Sequence, residues 1–263
     1  MNGIDDILKK MPTISLEEMS VVKLMNRVDT KYIFHRSKLV PLLEALVEDY
    51  FVQEINGCLV SKYKTLYYDT PDCLMYTQHH DKKLARQKLR TRCYLLNNQY
   101  FCEIKTKNNK GRTKKKRIAI DEAGYSNIFV NPATVDFVRQ YLHFEVNDFI
   151  PQLENNFERI TLVNKAKTER MTIDMNLLLK NQVTGQVAHI PDLVILELKQ
   201  DGRYESPGRR VLFNQRIKPC GMSKYCIGTA LTNPNVKINR FKKKLRLMQK
   251  LNICVIKNNV END

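Results

Sequence analysis

The 263 residues predict an α+β fold: an antiparallel β-barrel with an ionic interior and flanking helices. Four strand-like segments carry charge where a strand normally carries its buried apolar face: Lys88 to Tyr94, Phe101 to Lys107, Lys115 to Ile118 and Val194 to Lys199. Successive side chains on a strand point to opposite faces, so Arg90 shares a face with Arg92, Glu103 with Lys105, and Glu197 with Lys199. Val194, Leu196 and Leu198 form the other, apolar face of the last segment. A half-buried open sheet turns such charges to bulk water. Several ionic strands in one chain imply instead a closed sheet, apolar outside and charged inside, which suits a highly charged anion. With no internal repeat and no Gly/Ser/Pro-rich linker, residues 1–263 read as a single domain of ordinary barrel size.

The elements follow in order. Residues 1–25 read as short amphipathic helices, with Ser15-Leu16-Glu17-Glu18 in the form of a capping box. Residues 27–35 read as a strand, and Ser37 as the N-cap of a helix reaching residue 50, with Leu39, Leu42, Leu43 and Leu46 on one side. Residues 63–70 form a strand that Pro71 ends. The charged strands at about 86–107 and 113–121 turn at Asn108-Asn109-Lys110-Gly111. A helix near 134–142 and strands at about 157–164, 168–175 and 192–199 come next. Ser206-Pro207 opens a helix over 209–217, and residues 240–256 form a basic amphipathic helix with Phe241, Leu245 and Met248 on its apolar side.

Forty-four Lys and Arg against 28 Asp and Glu give a net charge of +16, which calls for an anionic partner without choosing among nucleic acid, nucleotide, polyphosphate and acidic membrane. The seven cysteines are scattered and free of any Cys-x-x-Cys pair, so free thiols are expected. The histidines lack ligand spacing. No signal-peptide pattern and no apolar run long enough to span a bilayer is present, and a reducing cytoplasm is the expected location.

Arginine and lysine match phosphate oxygens with forked donors and point charges. Arg90 and Arg92 stand about 7 Å apart on one strand face, a spacing that grips neighbouring phosphates. Lys105 aims at the same volume, Lys115 and Arg117 share a face, and Arg159 and Arg170 repeat the pattern on two further strands. The plain reading of any one basic site is a solvated strand edge; five in a row favour convergence. Glu197, among apolar neighbours, either pairs with a cation or binds a hard divalent ion that bridges to phosphate; for Glu103 the ion pair is favoured. The run Lys110 to Arg117 has the look of a nucleic-acid patch, but its alternation with Ile118 and Ile120 fits a strand better. Few aromatic residues flank the basic strands beyond Tyr94 and Phe101, and the chain has no Trp, which argues against binding of single-stranded nucleic acid.

Arg27-Val28-Asp29-Thr30-Lys31-Tyr32, Tyr67-Tyr68-Asp69-Thr70, Lys88 to Tyr94, Glu103-Ile104-Lys105, Lys115-Lys116-Arg117, Glu158-Arg159, Ile195 to Lys199 and Ser223-Lys224-Tyr225 occur in an order that resembles the VTC domain. That is the polyphosphate polymerase domain of the vacuolar transporter chaperone complex, a branch of the CYTH-like triphosphate tunnel metalloenzymes. The resemblance runs from about residue 20 to 230. It implies an eight-stranded antiparallel tunnel in which basic residues hold a nucleoside triphosphate, expected to be ATP, and the growing polyphosphate, with Mn²⁺ or Mg²⁺ on a carboxylate. Carried over by position, Lys31, Arg90, Arg92, Lys105, Arg159, Arg170 and Glu197 would serve catalysis, Glu197 as the metal ligand. Arg27, Lys115, Arg117, Ser223 and Lys224 would bind substrate. No specific nucleic acid is expected as a partner.

Three features depart from the family pattern. Phe157 stands where a tyrosine is expected, Gly221 where a lysine is expected, and these 263 residues are expected to act without a transmembrane or SPX-like segment. The hydrolytic tunnel enzymes open with Glu-x-Glu-x-Lys, whereas this chain has Arg27-x-Asp29-x-Lys31. Fewer carboxylates and more cations favour holding a long anion over activating water at two metals. A polymerase that adds the γ-phosphate of a nucleoside triphosphate to polyphosphate is therefore expected. A triphosphatase of the same fold and a non-catalytic binder of polyphosphate or RNA are the alternatives.

Overall fold

The computed structural model describes residues 2–20, 27–202 and 204–259. A path of antiparallel strands carries the charged segments. In spatial order it runs β7 (Thr113–Ile120), β6 (Gln99–Lys107), β5 (Arg86–Tyr94), β4 (Ser61–Asp69), β8 (Ile150–Asn164), β9 (Glu169–Asn181), β11 (Leu193–Asp201) and β2 (Arg27–His35). The short strands β1 (Thr13–Ile14) and β3 (Tyr50–Gln53) extend the sheet beside β8, and β10 (Gln186–Ile190) and β12 (Ile256–Asn259) extend it beside β9. Hairpin chemistry sets part of this order. At the β6–β7 turn the Asn108 amide donates to the Arg112 carbonyl at 2.9 Å, and Gly111 takes the positive φ of 78° that such a turn favours.

The helices are α1 (Asn2–Leu8), α2 (Leu16–Ser20), α3 (Leu39–Glu44), α4 (Leu74–His80), α5 (Glu122–Ser126), α6 (Pro132–Tyr141), α7 (Pro207–Asn214), α8 (Lys224–Thr232) and α9 (Lys242–Lys250). Most cover the convex face of the sheet. Leu8, Leu39, Leu42 and Leu212, from α1, α3 and α7, pack on Ile160, Ile173, Leu196 and Leu198. Tyr125 and Val138, from α5 and α6, pack on Leu66, Leu89, Cys102 and Ile104. Apolar residues at every second strand position are what this layer requires.

Helix α8 does something different. Its Tyr225, Cys226 and Ile227 pack with Leu153, Phe157, Leu177 and Leu179. Leu153 and Phe157 lie opposite Tyr67 and Tyr63, on the face that also carries Arg90 and Arg92, so the helix sits inside the curved sheet. Gly228 permits the approach: a Cβ there would lie 2.5 Å from Leu153 Cδ2 and 3.1 Å from Leu179 Cδ2. The buried Asp69 ties this helix to β4. One carboxylate oxygen accepts the Tyr225 hydroxyl at 2.5 Å and the Tyr76 amide at 2.9 Å, and the other accepts the Met75 amide at 2.8 Å.

Several expectations change. The sheet is not closed into a barrel: among the described residues β7 pairs only with β6, and β2 pairs with β11 but not with β7. β7 presents Lys114, Lys115, Lys116 and Arg117 in succession, and a lysine-rich edge resists strand pairing. The helix expected over 37–50 is a 3₁₀ turn at Arg36–Lys38 followed by α3, because the chain must extend again at β3. His35, not Ser37, caps that turn. The segment expected to be helical over 1–25 contains β1 between α1 and α2, and residues 21–26 lie outside the described ones. The basic helix expected over 240–256 is shorter, because the chain leaves α9 to add β12 to the sheet. Other local readings hold. The Ser15 amide donates to Glu18 at 2.8 Å and the Glu18 amide to the Ser15 hydroxyl at 3.1 Å, while Ser206 caps α7.

Candidate functional site

Pairing register places the basic residues on one concave face. Arg90 lies opposite Glu103 and Tyr67, Lys105 opposite Lys115, Arg92 opposite Phe101 and Thr65, Arg159 opposite Asp174, Arg170 opposite Lys199, and Lys31 opposite Glu197. Cations there outnumber carboxylates, and the carboxylates act as internal counterions. Glu103, 1% exposed, accepts from Arg90 Nε at 2.8 Å and Nη2 at 2.6 Å, and from Lys115 Nζ at 3.0 Å. Asp174 takes a two-point contact from Arg159, at 2.5 and 2.8 Å, and is also bonded by Lys224 from α8. Glu197 stands 3.3 Å from Lys31 Nζ and 3.4 Å from Lys199 Nζ. Each acid is thus clasped by two cations, an arrangement that keeps neighbouring arginines in place without neutralising the whole face.

The electrostatics follow. Burial disfavours charge on Glu103 and Asp174, but Arg90 with Arg92 and Lys115, and Arg159 with Lys224, outweigh it and hold both carboxyls well below the usual range. Burial likewise opposes the charge of Glu197, and Lys31, Lys199 and Lys105 overcome it, lowering its pKa to about 2. Lys105 feels Glu197 but is not ion-paired with it. Water reaches its side chain, yet the enclosing protein, with Lys31 and Arg90, lowers its pKa to about 8. Burial lowers Lys224 to about 8 as well, against the pull of Asp174. For Tyr67, burial raises the pKa, but Arg90, Arg92 and Lys88 prevail and bring it to about 8. The face is held at a positive potential, ready for an anion.

An aromatic floor underlies the cations, contrary to the reading that few aromatic rings flank them. Tyr63 stacks on Phe157 at 5.2 Å between centroids, and Tyr67 on Tyr225 at 5.0 Å. Arg159 lies 4.9 Å from the Tyr63 centroid, Arg117 4.5 Å from Phe101 and Lys224 3.7 Å from Phe157. Phe157, lacking the expected hydroxyl, offers Lys224 a ring face instead. Gly221 leaves open space, with no atom within 4 Å of a Cβ built there.

Of the expected site residues, Lys31, Arg90, Arg92, Lys105, Lys115, Arg117, Arg159, Arg170 and Glu197 share the concave face. Ser223 caps α8, accepting the Cys226 amide at 3.3 Å, and receives a hydrogen bond from Lys88 Nζ at 2.8 Å. Arg27 begins β2, and its side chain lies outside the described residues. Sequence reasoning missed Asp174, whose signal was its place two and four residues beyond Thr172 and Arg170, and did not assign Lys88 a role.

Among the described residues no three His, Cys, Asp or Glu side chains converge as a metal cage. The donor set does not fit a divalent ion held by protein alone. It fits one carried in on phosphate oxygens and completed by a single carboxylate. Glu197 suits that part, its side chain being 19% exposed against 1% for Glu103 and 6% for Asp174.

No curated protein matches the sequence. A solved structure of a candidate adenylate cyclase from Bacillus halodurans is 12% identical, with a TM-score of 0.51 over 82% of this chain and 99% of that one, and it shows a shared fold. A candidate adenylyl cyclase from Hippeastrum, described as having a dominant triphosphatase activity, is 14% identical with a TM-score of 0.47, covering 80% of this chain and 98% of that one. The model of the VTC domain matches residues 26–233. The chain belongs to the VTC domain family.

Proposed function

We propose that the chain is a metal-dependent polyphosphate polymerase, transferring the γ-phosphate of a nucleoside triphosphate, preferably ATP, to the end of a polyphosphate chain. Membership of the family supports action on a triphosphate. The observation that carries the finer reading is the concave face itself: Glu103, Asp174 and Glu197 are each paired with two cations, while Arg92 and Lys105 feel these acids only at a distance and make no ion pair with them. Such a face is suited to a linear polyanion spanning several strands.

In this reading Arg90, Arg92 and Lys105 hold the triphosphate, and Arg159, Arg170 and Lys224 the chain that receives the phosphoryl group. A terminal phosphate oxygen attacks the γ-phosphorus in line, the bond to the β-phosphate oxygen breaks, and nucleoside diphosphate leaves. Positioning and charge stabilisation dominate such a transfer, so no protein nucleophile is needed. A Mn²⁺ or Mg²⁺ ion on Glu197 would add charge neutralisation at the phosphate oxygens. Arg90 stays charged because Glu103 secures it, and Lys31 and Lys199 keep Glu197 ionised.

One observation favours a second reading. The unpaired seam between β2 and β7 leaves the face open along its side, a route for water that a triphosphatase would use. Incubating purified protein with ATP and Mn²⁺ separates the two. Long-chain polyphosphate with matching nucleoside diphosphate is expected. Orthophosphate without polymer would establish the hydrolase instead.

A further inference from the structure

The charge of the last fifth of the chain is not explained by the concave face alone. Between Glu205 and Glu261 the sequence contains no acidic residue, while α9 and the turn before it supply Lys237, Arg240, Lys242, Lys243, Lys244 and Arg246. A helix that only needs solubility mixes both signs and forms i, i+4 ion pairs. Here neither is available. The apolar side of α9 is already used: Leu245, Met248 and Leu251 pack with Phe241, Tyr76 and Ile227, so the helix does not lay an oily face on a membrane. What remains is an outward face of one sign.

This face meets one end of the ionic interior. Along β5, Arg86, Lys88, Arg90 and Arg92 alternate onto the concave side, and Arg86 pairs in register with Lys107 on β6. Helix α4 precedes β5, and its His79 ring lies 6.3 Å from the Phe241 ring, above which Lys244 Nζ stands at 6.0 Å. Burial lowers the pKa of His79 to about 2, and Lys88, Arg86, Lys244 and Lys107 all push it the same way. Four cations, from β5, β6 and α9, thus act on the same ring. The acid at this end, Asp81 at the close of α4, is held by His80 at 2.8 Å and offset by Arg240 and Lys237, so the junction between Arg86 and α9 keeps a positive excess.

We propose that the exposed basic face of α9 is an external track for long-chain polyphosphate, continuous with the Arg86 end of the concave site. This rests on the polyphosphate reading of that site and extends it from a few phosphates to many. Lys242, Lys243 and Arg246 are exposed and bind the chain segment that lies outside the sheet. Affinity then rises with chain length beyond what the interior alone explains, and a growing product stays attached between additions.

The triple variant Lys242→Glu, Lys243→Glu and Arg246→Glu tests this in the full chain, with circular dichroism and thermal unfolding to confirm the fold. Binding of tripolyphosphate and of polyphosphate about a hundred units long is measured by calorimetry over a range of salt. The variant is expected to bind tripolyphosphate as the parent does and long chains at least tenfold more weakly. Its salt dependence for long chains should be shallower by about 2 in log–log slope, from roughly 0.7 per lost contact on a flexible polyanion. Unchanged long-chain affinity would overturn the track, as would an equal loss for both ligands. Tighter binding of single-stranded RNA than of polyphosphate on the parent, abolished by the same variant, would also overturn it in favour of nucleic acid. Failure of the parent to bind tripolyphosphate sinks the interior site instead, a result visible before the variant is made.

Discussion

The concave face has two halves built from the same strands, and they solve opposite problems. In one half Leu153, Leu177 and Leu179 meet α8, and the space is filled by Ile227, Cys226 and the bare backbone of Gly228. In the other Arg90, Arg92 and Arg159 stand over Tyr63 and Tyr67, and the opposing charges come from Glu103 and Asp174. The alternation of strand residues is the same in both. What differs is what satisfies the inward side chains: a helix in one case, a partial set of internal counterions in the other. A surface whose cations are left short of acids is built for a ligand that brings its own. Lys224 belongs to both halves, since it leaves the first turn of α8 and bonds Asp174.

The largest expected effect comes from breaking a clasp. Asp174→Ala strands Arg159 and Lys224 in a buried setting, and loss of one partner of such a group costs about 3–5 kcal/mol. Urea unfolding should show this loss, and tripolyphosphate should recover part of it by supplying acceptors for the stranded cations. Full stability in the variant would show that the clasp holds nothing together. Arg92→Ala removes a cation that makes no ion pair, so the fold should hold while turnover drops on the order of 10²-fold, as for loss of one transition-state donor. Turnover equal to the parent's would take Arg92 out of the site.

On the filled side, Gly228→Ala forces α8 away from Leu153 and should cost about 1–3 kcal/mol by overpacking. Activity in this variant should fall with Lys224 displaced, which a crystal structure would reveal; an unmoved helix would mean that the close approach is not required.

The smallest effect is in pH, and its two signs are opposite. Lys105 and Lys224 have folded pKa values near 8, below their ordinary 10.5, and Tyr67 lies near 8, below 10. The unfolded chain therefore holds more protons between about pH 8 and 10, and these groups make stability rise with pH across that window. Anion binding should instead weaken as pH passes 8, because two cations are lost and a phenolate appears. Parallel rather than opposite trends in unfolding and in tripolyphosphate titrations would contradict these assignments.

Much of this was legible in the sequence because strand period is strict. The charge pattern of residues 88–107 and 194–199 placed Arg90, Arg92, Lys105 and Glu197 on shared faces, and the register confirms that placement. The closed barrel was not legible, since closure depends on whether the edges β2 and β7 meet, and no local pattern states that. The aromatic floor was hidden for a similar reason. Tyr63 and Phe157 are far apart in sequence and meet only through β4–β8 pairing. Asp174 escaped notice because it lies beside apolar Ile173 and Met175, with no basic neighbour closer than Arg170 along the chain. Helix α8 had no reading from its own pattern, since Ser223-Lys224-Tyr225 entered only through the resemblance, and tertiary packing places it inside the sheet.

A crystal structure with tripolyphosphate bound is the most direct test. The anion should lie on the concave face, its oxygens within hydrogen-bond distance of Arg90, Arg92 and Lys105 and next to Lys224. Density for it only on the convex side, or none at concentrations that saturate binding in solution, would contradict the account.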